Sequence, residues 1–317
     1  MNRYIAVADA PDWGALLDRA EYFRKHPHAD TGLGKNKTLL QLFYNSSLRT
    51  RLSTQIAGQR LGMEVITMDL TQGWALEFTD GAIMNENKAE HIREAAGVMS
   101  RYADIIGLRS FASLQDRDAD YEDFVIHQFA RNTQVPMLNL ESAIAHPLQA
   151  LADSLTIRQF HPGHRPKVVL SWAPHPRALP QAVANSFVQG MQRMDVDLVI
   201  THPQGFELNP DIVGKTPVLY DQRNALQEAD FVYVKNWSSY QDYGLTAPHL
   251  TDWMLDHNKM QLTNKAYFMH CLPVRRNVIV TDEVIDSDRS IVLDQAENRI
   301  YAAQAVLAEL LMDGHER

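Results

Sequence analysis

The sequence predicts an α/β protein of two domains, each a parallel β-sheet flanked by helices. Three observations carry that prediction. Short apolar runs of strand character alternate with helix-like segments along the whole chain, the pattern of parallel sheets covered by helices. The 317 residues exceed what one hydrophobic core holds. Finally, 45% apolar and 22% charged residues is an ordinary globular balance, far from a disordered or fibrous one.

In the first half, strands are expected near 38–44, 64–69, 104–109 and 135–140, with helices at 52–61, 89–100 and 121–131. Lys37-Thr38-Leu39-Leu40-Gln41-Leu42-Phe43-Tyr44 is short, apolar and ends at the turn formers Asn45-Ser46-Ser47. The helix over 52–61 stops at Gly62. Asp104-Ile105-Ile106-Gly107-Leu108-Arg109 has the same strand form and ends on an arginine. A helix over 148–157 opens at Pro147, whose missing N–H suits a first helical position. His161-Pro162-Gly163-His164-Arg165-Pro166 reads as a boundary or a turn just inside the second domain. A second series of strands follows at 167–172, 198–200, 218–219, 231–234, 267–269 and 290–293. The last helix, roughly 297–311, places Ile300, Ala303, Val306, Leu307 and Leu310 on one face.

Chemistry gathers where strands give way to helices. Ser47-Leu48-Arg49-Thr50-Arg51 puts two hydroxyls and two guanidiniums at a strand-to-helix turn, where unpaired N–H groups and the positive helix end favour an anion such as phosphate. On the pentapeptide alone, a serine N-cap followed by surface arginines has equal weight. His146-Pro147-Leu148-Gln149 follows another strand, and Arg109 ends a third. Three strand ends bearing anion-binding or proton-handling groups are hard to read as solvated surface, because open α/β sheets bind ligands there. His270-Cys271-Leu272-Pro273 follows the apolar Ala266-Tyr267-Phe268-Met269. With no base near it in sequence, Cys271 is given packing and no covalent role.

Ser-x-Arg-Thr-Arg, His-Pro-x-Gln and His-Cys-Leu-Pro, in this order along a chain of this length, resemble the aspartate/ornithine carbamoyltransferase family. The resemblance covers essentially the whole chain. It implies a carbamoyl-phosphate-binding domain at 1–147, joined by a C-terminal helix, 298–317, that returns to this first domain. The second domain, 148–297, would bind the amine acceptor. The amine attacks the carbonyl carbon of carbamoyl phosphate and phosphate leaves, with no cofactor, metal or covalent enzyme intermediate. By motif, Ser47, the Leu48 N–H, Arg49 and Thr50 hold the phosphate. Arg109, Thr50 and His146 polarise the carbamoyl oxygen, Gln149 positions the carbamoyl amide, and Arg275 joins the donors' site. Arg49, Thr50, Arg109 and His146 are the expected catalytic residues. Trp74, in the loop Thr71-Gln72-Gly73-Trp74-Ala75-Leu76, is implied to reach a neighbouring subunit's site within a homotrimer; the bland alternative is a tryptophan plugging a loop onto the core.

For the acceptor, members acting on free ornithine carry an aspartate in an Asp-x-x-x-Ser-Met-Gly motif, where this chain has Lys235 in Phe231-Val232-Tyr233-Val234-Lys235-Asn236-Trp237. A lysine does not welcome an ammonium. Together with Glu141, His175, Arg177, Cys271, Leu272 and Arg275, this resembles the branch that uses an N-acyl-L-ornithine in arginine biosynthesis. At the position matching Ala89, members using the acetyl substrate carry glutamate and members using the succinyl substrate carry proline. Alanine matches neither, but it leaves room for a second carboxylate and does not repel it, which favours succinyl over acetyl; Arg177 offers a further cation.

Other classes are set aside on composition. A net charge of −9 gives no general basic surface for nucleic acid. One cysteine allows no intrachain disulfide and suits a reducing cytoplasm. No apolar run approaches the ~20 residues of a membrane span, and the N-terminus lacks a signal-peptide core. No Gly-x-Gly-x-x-Gly follows a strand, which argues against a nucleotide-binding oxidoreductase. The scattered His26, His28, His161 and His164 form no metal-ligand pattern. A non-catalytic phosphometabolite-binding protein would be expected to lack one of Arg49, Thr50, Arg109 or His146, and all four are present.

Overall fold

The computed structural model describes residues 1–73 and 75–313. The chain divides into two compact units. The first comprises Met1–Ala112, Asp118–Leu148 and Arg299–Arg317, and the second Ser113–Arg117 and Gln149–Asn298.

The first unit's strands are β1 (Arg3–Tyr4), β2 (Thr38–Phe43), β3 (Glu64–Asp69), β4 (Leu76–Glu77), β5 (Glu90–His91), β6 (Ile105–Arg109) and β7 (Met137–Asn139). Its helices are α1 (Trp13–Lys25), α2 (Leu48–Arg60), α3 (Ile92–Tyr102), the short α4 (Arg117–Tyr121) and α5 (Phe124–Asn132). The helix α6 (Pro147–Gln159) then carries the chain into the second unit. The main sheet is all parallel in the order β1-β7-β6-β2-β3, and β4 pairs with β5 separately. Central strands β2 and β6 are almost wholly buried, as expected of parallel strands covered on both faces, whereas edge strand β3 exposes Ile66 and Met68. Leu40, Leu42, Ile106, Leu108, Ile92 and Phe129 join in one core.

The second unit's strands are β8 (Lys167–Trp172), β9 (Asp197–Thr201), β10 (Val218–Leu219), β11 (Phe231–Lys235) and β12 (Tyr267–Met269). Around them lie α7 (Ala182–Met191), α8 (Pro210–Val213), α9 (Gln222–Leu226), α10 (His257–Met260) and α11 (Asp282–Ile285), and α12 (Val292–Asp313) closes the described chain. The sheet is parallel in the order β10-β9-β8-β11-β12. Trp172, Phe187, Tyr233 and Trp237 fill one face, and Val169, Val232, Phe268 and Val280 the other.

Several expected boundaries move. The helix expected over 52–61 begins four residues earlier, at Leu48, because Ser47 caps it and accepts a hydrogen bond from the Thr50 N–H (3.2 Å). Gly62 ends it as expected, at φ +88°. The helix expected from 89 begins at Ile92, capped by His91. The strand expected over 290–293 is absent. Ser290 makes an isolated bridge to Phe268, and Val292 already opens α12, which also starts five residues before the helix expected at 297. Short β-branched runs carry no period that separates a strand from the start of a buried helix, and the helix-favouring Asp294-Gln295-Ala296-Glu297 wins. Among the described residues, no helix is long and apolar enough to cross a membrane.

Candidate active site

In the first unit's sheet, the chain moves from β2 outward to β3 and later returns to β6 on the other side of β2. The β2/β6 junction is thus the topological switch point, where the helices that follow neighbouring strands diverge and leave a crevice at the strand ends. Ser47 follows β2 and Arg109 ends β6, paired in register with Phe43. Thr50, in the first turn of α2, is buried and receives two guanidiniums on its hydroxyl: Arg299 Nη2 at 2.6 Å and Arg109 Nη1 at 3.4 Å. Arg109 Nη1 also donates to the Leu140 carbonyl (3.3 Å) and pairs with Glu141 at 2.5 Å, while its guanidinium lies 4.2 Å from the centre of the Phe111 ring. The α2 N-terminus adds first-turn N–H groups that no helix can satisfy internally. Arg49 stands half-buried in the same turn and Leu48 is exposed.

His146 precedes α6 and is 2% exposed. Burial first, then the charges of Arg299 and Arg109, hold its pKa well below the ordinary histidine value, so it is a neutral imidazole at pH 7. Its Nε2 lies 3.6 Å from Glu141. Glu141 adopts φ +118°, a conformation that side chains other than glycine rarely take, and Asn139 holds it there by accepting the Glu141 N–H (2.8 Å). Three guanidiniums and one carboxylate leave this crevice positive, fit for a phosphate and for charge developing on an adjacent carbonyl oxygen.

Arg299 is the residue that sequence reasoning missed. Its signal was present: it shares the i, i+4, i+7 stripe with Ala303 and Val306, all buried, so a charge stands on an otherwise apolar helix face. A buried arginine needs a partner, and Thr50 lies 249 residues away in sequence.

The second unit repeats the geometry. The chain leaves β8 for β9 and β10, then returns to β11 on the other side, so β8/β11 is its switch point. Lys235 ends β11 in register with Trp172, and His175 follows β8. His175 donates from Nδ1 to the Arg177 carbonyl (2.8 Å) and accepts from Arg275 Nε at Nε2 (3.0 Å). Burial, and the charges of Arg275, Lys235 and Arg177, lower its pKa against the raising effect of the Arg177 carbonyl, so it stays a neutral acceptor that orients Arg275. Lys235 is buried, its ammonium donating to the Asn236 carbonyl (2.9 Å). The Arg177 side chain is exposed, and so is much of Arg275. This is a cationic cluster suited to carboxylates.

Within the same unit, the fully buried Asp153 accepts from Gln149 Nε2 (2.8 Å) and Gln295 Nε2 (2.6 Å). Cys271 is buried beside Tyr233, and Leu272 takes φ +55°. Arg276 is held by Asp282 and Asp286 at the surface, an ion-pair knot that serves the turn. Glu141, expected to bind the acceptor, has Arg109 as its partner in the first unit. Ala89 is exposed just before β5, also in the first unit. Trp74 lies outside the described residues.

Residues 5–159 match the carbamoyl-P binding domain of aspartate/ornithine carbamoyltransferases, and residues 180–310 match their Asp/Orn binding domain. The chain belongs to this family. It is therefore a carbamoyltransferase; Ser47, Thr50, Arg109 and His146 fall within the first matched domain, and Lys235 and Arg275 within the second. Among family members, it is 49% identical to N-succinylornithine carbamoyltransferase of Bacteroides thetaiotaomicron, over 98% of this chain and 99% of that protein. It is 35% identical to N-acetylornithine carbamoyltransferase of Xanthomonas campestris pv. campestris, over 95% and 96%. Its fold matches acetylornithine transcarbamylase complexed with acetylcitrulline at a TM-score of 0.91 and 34% identity, over 98% of this chain and 99% of that one. A glutamate-to-alanine variant of N-acetyl-L-ornithine transcarbamylase, complexed with carbamyl phosphate and N-succinyl-L-norvaline, matches equally well, at a TM-score of 0.91 and 34% identity over 98% and 100%.

Proposed function

We propose that this enzyme transfers the carbamoyl group of carbamoyl phosphate to the δ-amine of N-succinyl-L-ornithine, giving N-succinyl-L-citrulline and phosphate, as a cytoplasmic step of arginine biosynthesis. The observation that carries the donor half is Thr50, whose hydroxyl takes hydrogen bonds from Arg109 and Arg299 at the N-terminus of α2. In this reading Ser47, the Leu48 N–H, Arg49 and Thr50 hold the phosphate, and Arg299 joins them. Arg109 and the neutral His146 donate to the carbamoyl oxygen, and Gln149 meets the carbamoyl amide. The neutral δ-amine attacks the carbonyl carbon, the C–N bond forms, and charge collects on the oxygen facing these donors. The C–O bond to phosphate then breaks, the phosphate leaves with the electron pair, and it takes the proton that the attacking nitrogen gives up. Arg109 Nη1 stays paired with Glu141, which fixes the guanidinium's direction before substrate arrives.

On the acceptor side, Lys235 and Arg275, the latter oriented by His175, take the α-carboxylate, and the acyl group removes the α-ammonium that Lys235 would repel. Ala89 supports the succinyl group: it is small and uncharged, and the glutamate-to-alanine variant of the acetylornithine enzyme was solved with a succinyl ligand. The 35% identity to N-acetylornithine enzymes keeps acetylornithine as the second reading. The deciding experiment offers N-succinyl-, N-acetyl- and free L-ornithine side by side with carbamoyl phosphate. Turnover of the succinyl substrate alone is expected, and turnover of acetylornithine alone overturns the reading.

The reading includes a homotrimer. It is supported by exposed apolar side chains, Leu48 and Leu52 on α2 and Ile66 and Met68 on edge strand β3, which a subunit contact would bury. Sedimentation of the purified protein at three times the chain mass is the expected result.

A further inference from the structure

We propose that Asp123 is a positioning residue for carbamoyl transfer: it locks the turn at 141–143 and, through Glu141, aims the Arg109 guanidinium. The proposal rests on the reading above that Arg109 donates to the carbamoyl oxygen. Every residue it uses lies in the first unit.

Asp123 directly precedes α5 and is 4% exposed. A carboxylate taken out of water to that depth is costly unless its oxygens find donors. Both do, and in the same turn: Oδ2 accepts from the Ser142 hydroxyl at 2.5 Å and Oδ1 from the Ala143 N–H at 3.1 Å. These bonds reach across 19 and 20 residues of sequence, so they tie two segments together and are no local cap.

Asn139 completes the circuit. Its Nδ2 donates to the carbonyls of Ile5 (2.8 Å) and Ala145 (3.3 Å) and to the Ser142 hydroxyl (3.0 Å). A carbonyl oxygen only accepts, so this end of the amide is the NH₂, and its Oδ1 is the end that takes the Glu141 N–H (2.8 Å). The Ser142 hydroxyl, accepting from Asn139, sends its one proton to Asp123 at 2.5 Å and not to the Ala145 carbonyl at 3.4 Å. The Ser142 N–H takes that carbonyl (2.9 Å). Three successive N–H groups, those of Glu141, Ser142 and Ala143, are thus each tied. A strained turn needs this: Glu141 holds φ +118°, which a residue with a side chain keeps only where its surroundings over-determine it.

What the turn delivers is the direction of Glu141. Arg109 Nη1 donates to the Glu141 carboxylate (2.5 Å) and to the Leu140 carbonyl (3.3 Å), and the Ser110 N–H donates to the Glu141 carbonyl (2.9 Å). The turn therefore grips the end of β6 through backbone and side chain together. Without Asp123, the Ala143 N–H and the Ser142 hydroxyl lose the carboxylate that anchors them. The turn then relaxes from its positive φ, and the Glu141 carboxylate swings away from Nη1. A misplacement of about 1 Å at a preorganised group costs up to ~10²-fold in rate.

The test is a double-mutant cycle on kcat between Asp123 and Arg109, with carbamoyl phosphate and whichever acylornithine the parent enzyme turns over. Asp123→Ala is expected to lower kcat about tenfold and to leave the carbamoyl-phosphate KM within about threefold. In the Arg109→Gln background the same substitution is expected to lower kcat less than about twofold, because the group it aims is gone. A merely structural role lowers the urea midpoint in both backgrounds and leaves kcat per folded molecule in place. Should Asp123→Ala not fold, Ser142→Ala, which removes the hydroxyl between Asp123 and Asn139, takes its place in the cycle with the same expected falls. A fall of less than about threefold in the parent overturns the proposal, and so does a fall of about twofold or more in the Arg109→Gln background. If Arg109→Gln itself keeps the parent kcat, the role of Arg109 falls and this proposal with it. If Arg109→Gln loses activity while the Asp123 variant keeps it, the Asp123 proposal alone is lost.

Discussion

Arg109 is held by Thr50, the Leu140 carbonyl and Glu141, with Phe111 against its guanidinium, so its donors are aimed before substrate binds. In the proposed mechanism Arg109 faces the developing oxyanion, and removing a preorganised donor of that kind costs roughly 10²–10³ in kcat. Arg109→Gln is expected to lose that much with a smaller change in KM, measured in steady-state assays. His146 gives a pH signature. Its folded pKa lies well below 6.5, so between the two values the unfolded chain binds a proton that the folded one does not. Stability is therefore full above pH 6.5 and falls as pH drops below it, with a slope of up to about 1.4 kcal/mol per pH unit for this one proton. His146→Gln is expected to flatten that slope in urea titrations run from pH 7 to 5. Ser47, Arg49 and Arg109 were legible in the sequence because each stands at the end of a strand that announces itself by its apolar run. Arg299 and the pairing of Glu141 with Arg109 were not, because they depend on which distant segments meet, and no local pattern encodes that.

Elements were legible in proportion to their period. The central strands β2, β6, β8 and β11 read as continuous apolar runs because both faces are covered, and their spans agree with expectation to within a residue or two. The run at 290–293 has the same composition but opens a helix, since four residues do not display a period. The start of α2 was hidden for a different reason: Ser, Thr and Arg look like turn or surface residues, yet Ser47 makes them a capped first turn. The end of α2 tests the glycine argument. Gly62 sits at φ +88°, and a Cβ there would come 2.2 Å from the Thr31 carbonyl oxygen. Gly62→Ala is expected to cost at least ~1–2 kcal/mol from the left-handed backbone alone, more with the clash, read as a lowered urea midpoint.

At the scale of the whole molecule, two sheets of like topology each place a charged cluster at the point where strand order reverses. That correspondence was invisible in sequence, since strand order is a long-range property, although each strand was not. It explains why Arg109 and Lys235, which share no motif, occupy equivalent ends of β6 and β11. The role proposed above for Ala89 also gives a prediction for acceptor choice. Ala89→Glu is expected to lower kcat/KM for N-succinyl-L-ornithine by about 10–100-fold, from crowding and like-charge repulsion, while N-acetyl-L-ornithine turnover holds or rises.

The hydrogen bond from Arg299 to Thr50 spans 249 residues, and between them lies the entire second unit's main segment. Translation proceeds in one direction, at ~5–20 residues per second. Thr50 therefore emerges from the ribosome roughly 12–50 s before the guanidinium that completes its surroundings. During that interval the nascent first unit lacks one of the three arginines of its β2/β6 crevice. On the proposed reading, the pocket for the donor is finished only after the segment assigned to the acceptor has been made, so a chain interrupted anywhere before residue 299 would hold an incomplete donor site.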